Sequence, residues 1–284
     1  RRQRQMCIRD RALSVSGITA SNKVYDGTTS ATLGTGAVVY GGLVSGDTLT
    51  GTYSGVFNNA NVGNGKTVTI TSSYGGTDVN NYTITDQAST TANVTTKSLT
   101  ATASAANKVY DGNTTATTTL TFTGLVGSET LGQTVGSTFD NKNVGSSKAV
   151  TVNSITLADG SNGGLAANYS ISPGQTTTAH ISKKSLTVSS ISASNKTYDG
   201  NAIATSTITL SGFVGSETLT SSNLSSFNNK NVGTGKTVTV NSITLANGTN
   251  GGLATNYSIS SGQNTTCLLY TSPSPRDRTR SRMP

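Results

Sequence analysis

The sequence predicts an all-β fold class, built from three tandem small β-sandwich (Ig-like) domains arranged as beads on a string. Three observations predict it. The body of the chain repeats itself with a period of 85 to 88 residues, its apolar residues alternate at period two, and no segment carries a sustained helical stripe. Solenoids and propellers repeat every 20 to 50 residues or so, whereas this period suffices for a small domain with its own core. A β-grasp-like unit with one helix is the alternative for each repeat.

The composition narrows the class of protein. The chain has 284 residues, of which 32% are hydrophobic and 11% charged. No apolar run reaches the roughly 18 residues that a membrane-spanning helix needs, and no signal-peptide pattern is present, so we expect no membrane insertion. The regular placement of valine and threonine is unlike that of a disordered polyelectrolyte.

The two ends differ from the body. Every Arg, Cys and Met lies within residues 1–11 or 267–284. These ends resemble translated sequencing adapter: CAGATGTGTATAAGAGACAG encodes Gln5–Asp10, and its reverse complement encodes Cys267–Ser272. We therefore expect 1–11 and 267–284 to be adapter artefact and the body to be an internal fragment of a longer protein.

Most of the net charge of +8 arises in those ends. Between them the chain has 11 Lys and 10 acidic residues. A nearly neutral body gives no reason to expect binding to nucleic acid or to acidic membranes.

Three motifs recur in each repeat and are the candidate site residues, read as a structural repeat motif. The first is Tyr-Asp-Gly, preceded by Asn-Lys one residue upstream. The second is Asn-Val-Gly, which follows a phenylalanine, and the third is a closing Asn-Tyr pair. In chain order, the motif residues are Tyr25, Asp26, Gly27, Asn61, Gly63 and Tyr82; Tyr110, Asp111, Gly112, Asn143, Gly145 and Tyr169; and Tyr198, Asp199, Gly200, Asn231, Gly233 and Tyr257.

The motifs define the domain boundaries. The repeats are predicted to span 12–97, 98–184 and 185–266, with joints at Lys97/Ser98 and Lys184/Ser185. Between residues 139–176 and 227–264, 29 of 38 positions are identical, as expected of tandem duplication. We expect the third repeat to be truncated before its native closing strand. We expect 267–270 to add a pseudo-strand there, and the chain from Pro273 to be irregular.

Differences in spacing predict local structure. The first repeat is five residues shorter between its Asn-Val-Gly and Asn-Tyr motifs. We expect the missing residues to map to the loop at 161–164 and 249–252, not to a strand. The apolar residues Val150 and Val152 occupy every second position, but the next apolar residues, Ile155 and Leu157, are shifted by one position from this alternation. The same shift separates Val238 and Val240 from Ile243 and Leu245. A bulge or a corner is predicted there, because a slip of one residue turns every side chain to the opposite face.

Tyr-Asp-Gly admits a functional reading, since tyrosine beside a carboxylate could bind sugar or metal. The structural reading is stronger: the ring fills the core with its hydroxyl on a backbone partner, the aspartate accepts turn N–H groups, and glycine supplies a positive φ. Asn-Val-Gly and Asn-Tyr are read likewise, as a turn asparagine beside one apolar anchor. A lone carboxylate lacks the ligands of a calcium site, so no metal and no cofactor are expected.

No catalytic set is apparent. His180 is the only histidine and has no counterpart in the first repeat. No cysteine nucleophile or carboxylate pair is shared by the repeats, so we expect no enzyme activity. Lys23, Lys108 and Lys196 could form lysine–asparagine crosslinks, but no buried carboxyl catalyst is identifiable, and they are read as solvated.

On the Asn-Lys-x-Tyr-Asp-Gly, Asn-Val-Gly and Asn-Tyr motifs, the three repeats resemble the YDG-type repeats of filamentous-haemagglutinin-like bacterial surface adhesins. The resemblance implies secretion and display at the cell surface of a Gram-negative bacterium, with stalk or adhesive function. Two functions follow from it. The repeats either act as spacers whose partners are neighbouring repeats of the same chain, or bind host glycan or extracellular matrix through their loops.

Overall fold

The computed structural model describes residues 11–270, and within this range the fold is all-β. It contains no α-helix there, only single 3-10 turns at Val79–Asn81, Ala166–Asn168 and Ala254–Asn256. The predicted fold class, with three repeating β-sheet units, is therefore confirmed. The β-grasp-like alternative needed a helix, which the described residues do not supply. Over residues 11–270, no helix has the length and apolar character to cross a membrane.

The strands follow the three repeats in order. The first repeat contains β1 (Arg11–Ser16), β2 (Thr19–Ala20), β3 (Lys23–Val24), β4 (Ser30–Ala31), β5 (Leu33–Gly34), β6 (Val39–Gly41), β7 (Thr50–Phe57), β8 (Gly63–Gly75), β9 (Tyr82–Thr85) and β10 (Ser89–Thr95). The second contains β11 (Lys97–Ser98), β12 (Thr100–Ala105), β13 (Lys108–Val109), β14 (Thr115–Ala116), β15 (Thr118–Thr123), β16 (Leu131–Phe139), β17 (Gly145–Asp159), β18 (Tyr169–Ser170) and β19 (Thr176–Ser182). The third contains β20 (Lys184–Ala193), β21 (Lys196–Thr197), β22 (Ile203–Ala204), β23 (Ser206–Ser211), β24 (Leu219–Phe227), β25 (Gly233–Asn247), β26 (Tyr257–Ile259) and β27 (Asn264–Tyr270).

One five-stranded sheet recurs in every repeat with the same strand order. The orders are β3-β10-β8-β7-β4, β13-β19-β17-β16-β14 and β21-β27-β25-β24-β22. Its long central strand carries the alternating valines: Val68, Val150 and Val238 are fully buried while the threonines beside them face outward or are half-buried. β-Branched residues suit such a pleated, half-buried surface.

A smaller sheet holds the start of each repeat against its Asn-Tyr motif. The opening strand runs parallel to the strand that begins at the motif tyrosine, in the pairs β1–β9, β11–β18 and β20–β26. In these ladders Lys97 lies opposite Tyr169 and Lys184 opposite Tyr257. The opening strand therefore fixes where the closing tyrosine sits.

The chain folds into two compact units whose limits differ from those of the repeats. Of the described residues, the first unit comprises those up to Ala103, with Thr119–Val135 and Val152–Gln175. The second unit comprises Ser104–Thr118, Gly136–Thr151 and the described residues from Thr176 onward. Each unit therefore contains one whole repeat and part of the second.

The hydrophobic clusters explain these limits. In the first unit, one cluster joins Tyr25, Phe57 and Val94 of the first repeat to Leu99 and Tyr169 of the second. In the second unit, an equivalent cluster includes Tyr110, Phe139 and Ile181 of the second repeat and Leu186 and Tyr257 of the third. Further clusters belong to the first repeat alone and to the third alone. The first and third repeats thus each have a cluster of their own, and the buried residues of the second repeat in these clusters are shared with its two neighbours.

The predicted loop is confirmed and the assignment of the length difference needs correcting. Residues 161–164 and 249–252 lie in turns outside any strand. However, β8 has 13 residues and β17 and β25 have 15, so two of the five missing residues come from the strand. The loop after this strand comprises residues 76–78 in the first repeat and the longer segments 160–165 and 248–253 in the later repeats. This difference in loop length accounts for the other three missing residues.

The parity change is a β-bulge in the third repeat, as predicted. Leu224 pairs with Ser242 while Ser225 pairs with Val240, so Asn241 is the extra residue. Val240 before it is buried, and Ile243 and Leu245 after it are half-buried. The first repeat, whose β7–β8 ladder runs without a shift, has no bulge there.

The closing strand of the third repeat is formed as predicted. Strand β27 pairs antiparallel with β25 and parallel with β21. Leu269, 1% exposed, lies opposite Gly233, as Ile181 lies opposite Gly145 in the second repeat. An open sheet edge offers unpaired N–H and C=O groups to any extended segment, which explains why residues 267–270 can complete the closing strand. The prediction for Pro273 onward falls outside the described residues.

Candidate functional site

The Tyr-Asp-Gly motif forms a turn that is closed by the upstream lysine. Asp26 Oδ1 accepts a hydrogen bond from the Thr28 backbone N–H at 2.8 Å, and Gly27 has a φ of 76°. Lys23 Nζ donates to Asp26 Oδ1 at 2.7 Å and to the carbonyl oxygens of Thr28 and Ser30. The predicted roles of aspartate and glycine are confirmed. The prediction of a solvated lysine is wrong, because the ammonium group satisfies carbonyl oxygens that the turn leaves unpaired.

The other two repeats build the same turn. Asp111 accepts from the Asn113 N–H and Asp199 from the Asn201 N–H, each at 3.1 Å, and both carboxylates pair with their lysines, Lys108 and Lys196. The aspartate side chains are about half exposed, at 45 to 52%. A lysine–asparagine crosslink needs a buried carboxyl group beside the lysine, so these sites do not provide the catalyst.

A tyrosine–carboxylate cluster links the first repeat to the second within the first unit. Glu129 accepts hydrogen bonds at 2.6 Å from two hydroxyls, Tyr25 on Oε1 and Tyr169 on Oε2. The Tyr169 hydroxyl also accepts the Val126 backbone N–H at 3.0 Å. The two rings meet edge to face, with centroids 5.4 Å apart and planes at 81°. Tyr25 and Tyr169 are each only 4% exposed, so this polar cluster is enclosed by apolar contacts.

The second unit contains the same cluster between the second and third repeats. Glu217 accepts from Tyr110 on Oε1 and from Tyr257 on Oε2, each at 2.7 Å, and Tyr257 accepts the Val214 N–H. Here a cation is added: Lys142 Nζ lies 2.9 Å from Glu217 Oε1 and 6.0 Å from the centroid of the Tyr110 ring. The first unit has Ala60 at the place of this lysine.

An asparagine clasp runs beside each cluster. The Val62 backbone N–H donates to Asn168 Oδ1 at 2.9 Å, and Asn168 Nδ2 donates to Asn61 Oδ1 at 3.1 Å. In the second unit Asn256 holds Val144 and Asn143 with the same distances. Asn168 and Asn256 are fully buried, and a buried amide is costly unless its groups are paired. The asparagine of the Asn-Tyr motif therefore binds the Asn-Val-Gly motif of the repeat before it through hydrogen bonds.

The motif glycine also allows this close approach. A Cβ added to Gly27 would lie 2.8 Å from Val126 Cγ1, and one added to Gly112 would lie 2.6 Å from Val214 Cγ1. At Gly200 the same added atom would meet nothing within 4 Å. The positive φ is shared by all three glycines, whereas the lack of a side chain matters only where another repeat follows.

Comparison with known proteins agrees with the repeat pattern. The YDG domain family matches residues 9–92, 95–179 and 182–266. The chain belongs to the YDG domain family. No curated protein and no solved structure shows significant similarity to it.

Burial and hydrogen bonding shift the acidity of the cluster groups in these YDG domains. Burial, followed by the bond to Glu129, raises the pKa of Tyr25 to about 12. Burial and the bond to Glu217 raise the pKa of Tyr257 to about 12 as well. Burial alone would raise the pKa of Glu217, but the hydrogen bonds from Tyr110, Tyr257 and Lys142 outweigh it and lower that pKa. In the second unit the cluster therefore holds neutral tyrosines around an ionised Glu217.

The tyrosines and asparagines of the junctions were predictable from the repeated motifs, whereas their glutamates were not predicted. The prediction of a backbone partner for the Tyr25 and Tyr110 hydroxyls is wrong, because each hydroxyl donates to the side chain of a glutamate in the next YDG domain. The signal in the sequence that could have identified the glutamates is the repeated Gly-Ser-Glu-Thr-Leu string at 127–131 and 215–219. The third tyrosine of the motif, Tyr198, lies at the surface.

The remaining candidates are structural. The motif glycines Gly63, Gly145 and Gly233 begin the long strands and lie opposite the closing strands. His180 Nδ1 accepts the Ser147 backbone N–H at 3.2 Å, and its own backbone N–H donates to Asn107 Oδ1. Within residues 11–270, no group of three His, Cys, Asp or Glu side chains is placed to hold a metal ion.

Proposed function

We propose that these YDG domains are stalk or spacer modules of a large secreted bacterial surface adhesin. One observation carries the proposal: the side chains that define the repeat are used to join one repeat to the next. Tyr25 and Tyr110 are buried in the junctions instead of facing a ligand. Because the motif side chains are buried in contacts between repeats, they favour a spacer module that extends and stiffens the chain over a module that binds a ligand through this motif.

The surface supports the same proposal. Binding of glycan relies on exposed aromatic platforms, and in residues 11–270 the aromatic side chains exposed by more than a third are Tyr198 and Tyr270. A groove in the third repeat is lined by polar residues such as Asn195, Lys196 and Asp199, without an aromatic ring. The lysine and aspartate there already pair with each other. Display at the surface of a Gram-negative cell belongs to this proposal and rests on the family resemblance.

Two measurements on the whole chain test the spacer role. In ¹⁵N relaxation, the repeats that share a junction within one unit should tumble together, because the junction is buried and fully hydrogen-bonded. On arrays of glycans and matrix proteins, the chain should show no saturable binding. Saturable binding that survives the substitution Tyr198→Ser would instead support direct adhesion by the loops and overturn the proposal.

A further inference from the structure

The third repeat presents the face that is covered in the two repeats before it. Tyr198 is 46% exposed, whereas its counterparts Tyr25 and Tyr110 are 4% and 1% exposed. Val232, at the position of Val144, is 50% exposed. In the described part of the chain, Lys230 has no carboxylate within ion-pair distance, while its counterpart Lys142 holds Glu217. This surface, made of Tyr198, Lys230, Asn231 and Val232, is called the trailing face below.

The first repeat presents the surface that corresponds to the other side of a junction, and this surface is formed by residues between 44 and 82. The Tyr82 hydroxyl donates to Asp47 Oδ2 at 2.6 Å and accepts the Val44 backbone N–H at 2.9 Å. Tyr169 with Glu129 and Val126, and Tyr257 with Glu217 and Val214, have the same arrangement inside the junctions. Tyr82 and its neighbour Asn81 are only half-buried, unlike their buried counterparts. This surface is called the leading face.

We propose that the trailing face of the third repeat binds the leading face of a YDG domain, which a second copy of this chain supplies through its first repeat. The pairing follows the two junctions already described. Tyr198 would donate to Asp47 as Tyr110 does to Glu217, and Lys230 would pair with the same carboxylate. Asn81 would clasp Val232 and Asn231 as Asn256 clasps Val144 and Asn143.

Charge complementarity favours this occupant over others. The trailing face offers a cation and a hydroxyl donor beside an apolar side chain, and the leading face offers a carboxylate beside a tyrosine ring. The contact is head to tail, because it joins the trailing face of one copy to the leading face of another, and such a contact can continue into open chains. Between separate copies it is weaker than within one chain, because a covalent link supplies an effective concentration in the millimolar range. The inference rests on the junction geometry and not on the spacer role.

Zero-length carbodiimide crosslinking tests the proposal, since it joins a lysine only to a carboxylate in contact with it. The whole chain is mixed as ¹⁴N and ¹⁵N copies at concentrations up to the millimolar range, and crosslinked peptides are identified by mass spectrometry. We expect a mixed-isotope product between Lys230 and Asp47. The product between Lys142 and Glu217 should form within single copies and is the internal positive control.

Matched variants make the outcome decisive. Val232→Asp keeps the reactive lysine and should reduce the Lys230–Asp47 product by at least about tenfold, because it places a carboxylate on the apolar part of the trailing face, opposite the carboxylate of Asp47. Lys183→Glu, at an exposed lysine outside the face, should leave it unchanged. A chain that carries both Lys230→Glu and Asp47→Lys should again give a mixed-isotope product between positions 47 and 230, because the pair is restored in reverse and no copy keeps the original pair. Absence of the Lys230–Asp47 product, or crosslinks spread over exposed lysines regardless of these variants, would overturn the proposal.

Discussion

Replacing Glu217 by glutamine removes the charge at the centre of the second junction. Glu217 is 7% exposed and accepts from Tyr110, Tyr257 and Lys142. Hydrogen bonds to a charged group contribute about 1.5–3 kcal/mol each, and glutamine keeps one acceptor oxygen for the three donors. Because Lys142 is partly exposed, its share is discounted for solvent screening. We expect Glu217→Gln to lower the free energy of unfolding of the second unit by about 2–4 kcal/mol.

Scanning calorimetry and amide hydrogen exchange measure this loss. In a unit of this size the melting temperature should fall by roughly 6–15 °C. The Val144 amide, which donates across the junction to Asn256, should lose protection. Glu129→Gln is the matched control: it removes the same two tyrosine bonds without a lysine partner, so its effect should be smaller and confined to the first unit. A melting temperature within 1 °C of the parent, with Val144 protection unchanged, would refute the reasoning.

Three further predictions concern single residues. The pKa of Tyr257 is raised from 10.0 to about 12 in the folded protein, so its contribution to the free energy of unfolding is complete below pH 10 and is lost as the pH rises from 10 to 12. Thermal melts across this range should show a loss of about 3 kcal/mol, and the variant Tyr257→Phe should not show it. Gly112→Ala should cost about 1–3 kcal/mol more than Gly200→Ala in denaturant unfolding, because both strain a positive φ but only the first meets a neighbouring side chain; equal costs would contradict the junction role. Leu269→Ala should destabilise the third repeat by about 2–5 kcal/mol in the same assay, and a negligible effect would show that β27 adds no core.

Local structure was predictable because short-range physics sets it. Period-two alternation identified the buried valines of the long strands, and glycine beside aspartate identified the turn. The change of parity after Val240 predicted the bulge at Asn241, since burial on one face cannot continue through a slip of one residue. The apolar segment 267–270 was predicted to close the third sheet because an open sheet edge pairs with a nearby extended segment, and Leu269 lies in the strand that does so.

The junctions were not predictable from spacing alone. The partner of Tyr25 is Glu129, 104 positions away, and nothing local distinguishes a glutamate that caps a turn from one that receives a tyrosine of another repeat. The prediction for Lys23 was wrong for a related reason. The neighbouring sequence does not show that the folded turn places three oxygen acceptors around its ammonium group. Repetition showed which residues matter, and the fold was needed to show what they contact.

A double-mutant cycle across the second junction tests the central claim, that the repeat motifs join consecutive YDG domains. Tyr110 and Glu217 belong to different repeats and are linked by one 2.7 Å hydrogen bond. The unfolding free energies of Tyr110→Phe, Glu217→Gln and the double variant give their coupling energy. We expect a coupling of about 1–2 kcal/mol, in the range of residues in direct contact. Effects that add to within about 0.3 kcal/mol would contradict the account, because they would show that the two repeats do not share this bond.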